Sequence, residues 1–214
     1  MNNYNIEGVI KKDNLDIAFK YNHIENCHAT IVAIGGTGGG FNGPANIYDY
    51  LSVNLEIMNL SLLRINVFPD YLEGVENVKV GLEFLNRQNT NKDVILIGWS
   101  MGGATMIHIA KYIQDTEIFK VKNLIILAGQ SLGSDPIKEL NDIPVTIIHG
   151  TADKCLDVEV GHYLYRIANS PKRLVLLDGA GHWMSEQFDK LVESINESID
   201  MKLNKYAIKS VQIC

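Results

Sequence analysis

Short, continuously apolar runs alternate along this chain with longer segments whose apolar residues recur at helical spacing. The runs at 29–34, 62–68, 94–98, 124–128, 145–149 and 174–177 are rich in Ile, Val and Leu and predict β-strands. Between and after them, 44–58, 75–85, 102–114, 157–168 and 185–201 predict helices. Ile47, Leu51, Leu55 and Met58 share one face of the first helix, and Val78, Leu82 and Leu85 one face of the second. In the last, Phe188, Leu191, Ile195 and Ile199 recur in the same way. Strands that are apolar throughout, rather than at every second position, belong in a sheet covered on both faces. The pattern therefore predicts an α/β fold built on a mostly parallel, doubly wound sheet.

The N-terminal stretch, 1–27, has a different rhythm. Runs at 6–10 and 15–19 flank Lys11-Lys12-Asp13-Asn14, which predicts an antiparallel hairpin. With no repeat and no linker composition, 1–214 reads as a single domain, and 203–214, in the Lys-bearing stretch after Met201, as a loosely attached tail.

Composition narrows the function. Apolar residues make up 46% and charged residues 21%, a globular balance, and a formal charge of -6 argues against nucleic acid as a partner. No run reaches the roughly 18 apolar residues of a membrane span, and no signal peptide is visible at the N-terminus. Cys27, Cys155 and Cys214 are odd in number and widely spaced, neither a disulfide framework nor a zinc set. The expectation is a cytoplasmic protein without metal or other cofactor.

The strongest chemical signal is Gly98-Trp99-Ser100-Met101-Gly102, a G-x-S-x-G match set between a predicted strand and a predicted helix. A sharp turn there would project the Ser100 hydroxyl above the sheet edge, with glycines letting strand and helix approach. The new helix would aim its first amides at the same place. A serine hydroxyl needs an adjacent base to attack an acyl carbon. His182, in Asp178-Gly-Ala-Gly-His-Trp, has an imidazole suited to that task. Asp153, just after the strand at 145–149, would orient the ring and stabilise the imidazolium. Asp157 is the second candidate for the acid and Asp135 the third. His149, His108 and His162 read as structural.

These segments resemble the α/β-hydrolase superfamily in order and spacing from about residue 29 to 201: the Gly98–Gly103 elbow, the acid segment Val145–Asp153, and the histidine segment Asp178–Trp183. The resemblance implies an α/β-hydrolase fold with Ser100, Asp153 and His182 as a catalytic triad. Gly35-Gly36-Thr37-Gly38-Gly39-Gly40 resembles the His-Gly-x-Gly oxyanion segment, with Gly35 in place of the histidine, and implies the Thr37 and Met101 amides as oxyanion donors. Only the stretch from Ser131 to Pro144 separates the strand after the elbow helix from the acid-bearing strand, too little for a cap domain. An open site of this kind resembles the compact carboxylesterases, thioesterases and dienelactone-hydrolase-like proteins. Serine at 100, where the dienelactone enzymes carry cysteine, favours a carboxylic ester or thioester substrate. Trp99, Trp183 and Phe41, with Met101 and Met184, are candidates to line the acyl site. A non-catalytic interaction module and a peptidase are the alternatives.

Overall fold

A computed structural model of the chain describes residues 3–13, 15–66, 70–88 and 91–207. The hairpin strands are β1 (Tyr4–Lys12) and β2 (Leu15–His23). They are followed by β3 (Ala29–Ile34), α1 (Ile47–Met58), β4 (Leu60–Ile65), α2 (Tyr71–Arg87), β5 (Asp93–Trp99) and α3 (Met101–Thr116). Then come β6 (Lys120–Leu127), β7 (Val145–Gly150), α4 (Val158–Ile167), β8 (Lys172–Leu177) and α5 (Phe188–Ala207). Single-turn 3-10 helices precede α1 and α5, and a slightly longer one, Asp135–Glu139, lies between β6 and β7. The expected end of the fourth strand, Phe68, and positions 208–214 of the expected tail lie outside the described residues.

The eight strands form one sheet in the order β1-β2-β4-β3-β5-β6-β7-β8. β1 and β2 pair antiparallel, β2 joins β4 antiparallel, and all other pairings are parallel. The doubly wound sheet with its N-terminal hairpin is therefore present as the apolar pattern predicts, and the short stretch between β6 and β7 holds no cap domain.

The two faces bury separate cores. Val94 and Leu96 of β5 pack with Val78 and Leu82 of α2 and Met106, Ile107 and Ala110 of α3. Ile95, Ile97 and Trp99 of the same strand point the other way, toward Ile47, Leu51 and Leu55 of α1 and Leu191 and Ile195 of α5. Side-chain alternation along one strand thus serves both layers. Each fully buried Leu or Ile contributes roughly 1.5–3 kcal/mol, which holds the strand ends in fixed register.

That register creates the site. The chain leaves β3 for β4 on one side, while β5, β6, β7 and β8 extend on the other, so strand order reverses between β3 and β5. Ligands of open α/β sheets bind at such a reversal, beyond the C-terminal strand ends. The loop after β3 and the turn after β5 are neighbours because Ile34 pairs with Gly98.

The turn after β5 admits no side chain at Gly98. A Cβ there would lie 2.1 Å from the Gly102 carbonyl oxygen and 2.8 Å from the Gly103 nitrogen, both backbone atoms. At Gly8, in the hairpin, the nearest neighbour of an added Cβ is an edge atom of Phe19 at 3.6 Å. Gly98→Ala is expected to cost about 3 kcal/mol, which lowers Tm by about 6–12 °C for a domain of this size. Gly8→Ala is expected to be neutral or slightly stabilising. Thermal unfolding of both variants followed by circular dichroism checks the contrast, and equal Tm values for the two would contradict it.

Candidate active site

Ser100 sits between β5 and α3 with φ 57° and ψ -122°, a backbone conformation that non-glycine residues rarely adopt. Its amide donates to Leu127 O at 2.8 Å, and its carbonyl accepts from Gly103 N at 3.0 Å and Gln130 N at 3.3 Å. The residue is pinned on both sides by backbone. Its hydroxyl does not cap the helix it precedes, so the side chain is not spent on structure. Among the described residues the hydroxyl has no hydrogen-bond partner, His182 included.

The glycine-rich loop lies directly against this turn. A Cβ on Gly36 would sit 2.9 Å from Ser100 Cβ, and one on Gly102 would sit 2.3 Å from the Gly35 carbonyl. Gly38, Gly39 and Gly40 all have positive φ, and the loop is closed by Gly39 N donating to Gly36 O at 3.0 Å. Asn66, at the end of β4, accepts from Gly40 N at 2.7 Å and ties the loop down. Thr37 and Met101 meet, with Thr37 Oγ1 3.7 Å from Met101 Sδ. Neither amide donates to a described residue.

The acid and histidine segments are laced together by backbone. Thr151 N donates to Leu177 O at 3.0 Å and Ala152 N to Ala180 O at 2.9 Å. Gly150 lies so close that a Cβ would be 2.2 Å from Ala180 O. Asp153 Oδ2 then accepts from His182 Nδ1 at 2.8 Å. The other carboxylate oxygen, Oδ1, accepts from Cys155 N at 2.8 Å and Leu156 N at 2.9 Å. Burial pushes the Asp153 carboxyl up, but the Leu156 amide, the His182 ring and the Cys155 amide outweigh it, so its pKa falls below the ordinary 3.8. The carboxylate stays charged although buried because every one of these bonds favours the ionised form.

His182 is tied to the residue beside Ser100. Trp99 Nε1 donates to His182 O at 3.2 Å, and the two rings are 5.4 Å apart at their centroids. With Nδ1 facing the carboxylate, Nε2 has no partner among the described residues.

The other acid candidates are elsewhere. Asp157 caps α4 by accepting from Glu159 N at 2.9 Å, and Asp135 pairs with Lys138 at 3.3 Å on the surface. Of the residues expected to line an apolar site, Trp99, Met101 and Met184 are buried in the cores. Trp183 alone is prominent, 58% exposed and 4.4 Å from the Trp99 ring at the centroid. Phe41 instead lies under Lys20 Nζ of β2, 5.2 Å from the ring centroid.

Two residues adjoin the site without having been assigned a role in it from sequence. His149, the penultimate residue of β7, places Nε2 2.8 Å from Leu156 O and 3.4 Å from Asp153 Oδ2. Cys155 is exposed and lies with a ligand-capable atom close to those of Asp153 and His182. Position four residues before the acid is a weak signal for the first, and the second carries none.

No family model and no curated protein matches the sequence, but solved structures match the fold. Est1E from Butyrivibrio proteoclasticus superposes with a TM-score of 0.74 at 15% identity, covering 94% of this chain and 99% of that one. A lidless serine hydrolase from Xanthomonas campestris gives 0.73 at 14% identity over 92% and 94% of the two chains. A dienelactone hydrolase from Anabaena variabilis gives 0.73 at 16% identity over 92% and 96%. The chain has the compact α/β-hydrolase fold.

His149 makes one property of this site measurable. Burial lowers its pKa from the ordinary 6.5, assisted by His182 and opposed by the Leu156 carbonyl, Asp153 and Asp157. The folded ring resists a proton that the unfolded chain accepts, so the neutral-ring stability is complete above the unfolded pKa and is lost as pH falls below it. The slope from this one group is at most ~1.4 kcal/mol per pH unit. Between pH 7.5 and 5.5 the native protein should therefore lose more Tm than His149→Gln, which can still donate to Leu156 O. Parallel declines for the two proteins would contradict a buried neutral imidazole.

Proposed function

We propose that the chain is a serine hydrolase that cleaves a carboxylic ester or thioester through an acyl-enzyme, with Ser100, His182 and Asp153 as its triad. The observation that carries this reading is the 2.8 Å bond from His182 Nδ1 to a buried, ionised Asp153. It fixes the tautomer that leaves Nε2 as the basic nitrogen. The backbone carbonyl of His182 accepts from Trp99 Nε1, at the strand end from which Ser100 projects.

In the first half-reaction His182 Nε2 takes the Ser100 proton as Oγ attacks the acyl carbon. The imidazolium that forms is stabilised by Asp153. The oxygen that becomes negative is received by the Thr37 and Met101 amides, neither of which donates to a described residue. His182 then returns the proton to the departing alcohol or thiol. Water repeats the sequence on the acyl-enzyme, with Ser100 as the leaving group.

Substrate size follows from the surroundings. Between β6 and β7 only the 3-10 helix Asp135–Glu139 intervenes, so no cap domain is inserted there. Trp183 offers an exposed aromatic face next to His182, suited to a flat or extended apolar group of a small substrate. One of the similar structures, Est1E, holds ferulic acid. The free Cys27 and Cys155 suit a reducing compartment such as the cytoplasm, and no helix among the described residues is long and apolar enough to cross a membrane.

Hydrolysis of p-nitrophenyl esters by the native protein and three variants tests the assignment. Ser100→Ala should remove activity. Asp153→Asn should lower kcat by about 10⁴-fold, since the amide cannot hold the productive tautomer. Asp157→Asn should stay within a few-fold of native, because asparagine caps a helix as well as aspartate does. A large loss in Asp157→Asn with little in Asp153→Asn would move the acid to 157.

A further inference from the structure

We propose that Asp153, Cys155 and His182 form a binding site for a thiophilic divalent cation, Zn²⁺ in the first instance, and that its occupation turns the hydrolase off. A carboxylate oxygen, the Cys155 sulfur and a ring nitrogen all lie within 4.8 Å of one another. A tetrahedral Zn²⁺ with bonds of ~2.0–2.3 Å holds such donors roughly 3.3–3.6 Å apart, so side-chain adjustments of an ångström or so complete the set. The ring nitrogen that faces the carboxylate is Nδ1.

The site is built rather than incidental. Asp153 Oδ1 is occupied by the amides of Cys155 and Leu156, which fixes the turn that carries the thiol and leaves Oδ2 for the metal. The Asp153 side chain is wholly buried and the His182 side chain 12% exposed, while Cys155 opens to solvent, so a cation has both a firm floor and an entry. One thiolate, one imidazole and one carboxylate select Zn²⁺ over Mg²⁺ or Ca²⁺, which take oxygen ligands in larger number. Three protein ligands leave the fourth position to water.

Metal binding and catalysis require opposite tautomers of the same ring. On binding, the thiol releases its proton to solvent. Zn²⁺ displaces the proton of His182 Nδ1 to solvent and Nε2 takes one up from solvent, so the ring stays neutral with its one proton now on Nε2. No electron is transferred. The lone pair that would accept the Ser100 proton is then gone, and the carboxylate that oriented the ring is coordinated. This loss of activity rests on the proposed hydrolase reading; the binding itself does not.

The reduced protein is titrated with Co²⁺ and with Zn²⁺, and ester hydrolysis is followed with and without Zn²⁺, each variant being referred to its own metal-free rate. One equivalent of Co²⁺ should give a thiolate-to-cobalt charge-transfer band that Zn²⁺ bleaches and that is missing in Cys155→Ser. The Zn²⁺ concentration for half-inhibition should rise by at least ~100-fold in Cys155→Ser, beyond the 10–100-fold typical of losing an outer-shell partner, and a chelator should restore the native rate. Absence of the band, or equal Zn²⁺ sensitivity in native protein and Cys155→Ser, overturns the site. If the native protein hydrolyses no ester, the hydrolase reading fails, while the band and its dependence on Cys155 still decide the metal site.

Discussion

The close approach of three backbone segments at Ser100 is the constraint on which this molecule depends. β5 must turn into α3 within a single residue, and the loop after β3 must lie against that turn. Gly98 and Gly102 permit the turn and Gly36 permits the contact, since a Cβ at any of them would fall within 3.0 Å of a neighbour. Ser100 takes up the strained conformation that results, at a cost of roughly 1–3 kcal/mol. The two hydrophobic cores on either face of β5 hold the strand in place against that cost.

Around this fixed point the remaining chemistry is assembled from backbone. The β7 and β8 loops are laced by main-chain hydrogen bonds and by the glycine contact at Gly150. Asp153 is charged although buried because two amides and one imidazole meet its oxygens. The same turn that orients the acid presents an exposed thiol to it. An arrangement that favours one ionised carboxylate beside one imidazole is equally suited to general-base catalysis and to coordination of a soft cation.

Much of this was legible in the sequence, for identifiable reasons. Strands buried on both faces are apolar throughout, so β3, β5 and β7 announce themselves, and the G-x-S-x-G spacing marks the turn because only glycine fits its flanks. Strand starts were less visible: β6 begins at Lys120 and β8 at Lys172, polar residues at the sheet margin. The turn ahead of α1 was read as helix, yet Ala45 and Asn46 have positive φ, a conformation set by tertiary context. Trp99, Met101 and Met184 are buried, Trp99 beside His182 and Met101 beside Thr37. For Trp99 the alternation with Ile95 and Ile97 already carried that information. The approach of Cys155 to the acid and histidine depends on how one turn folds back, which no local pattern encodes.

The central claim is that folding, and not sequence alone, makes Ser100 nucleophilic. Site-resolved mass spectrometry after brief treatment with a fluorophosphonate tests it most directly. The account predicts a single adduct on the peptide containing Ser100 in the native protein, lost on denaturation and in His182→Ala. An adduct on another residue, or labelling of Ser100 that survives removal of His182 undiminished, would contradict it.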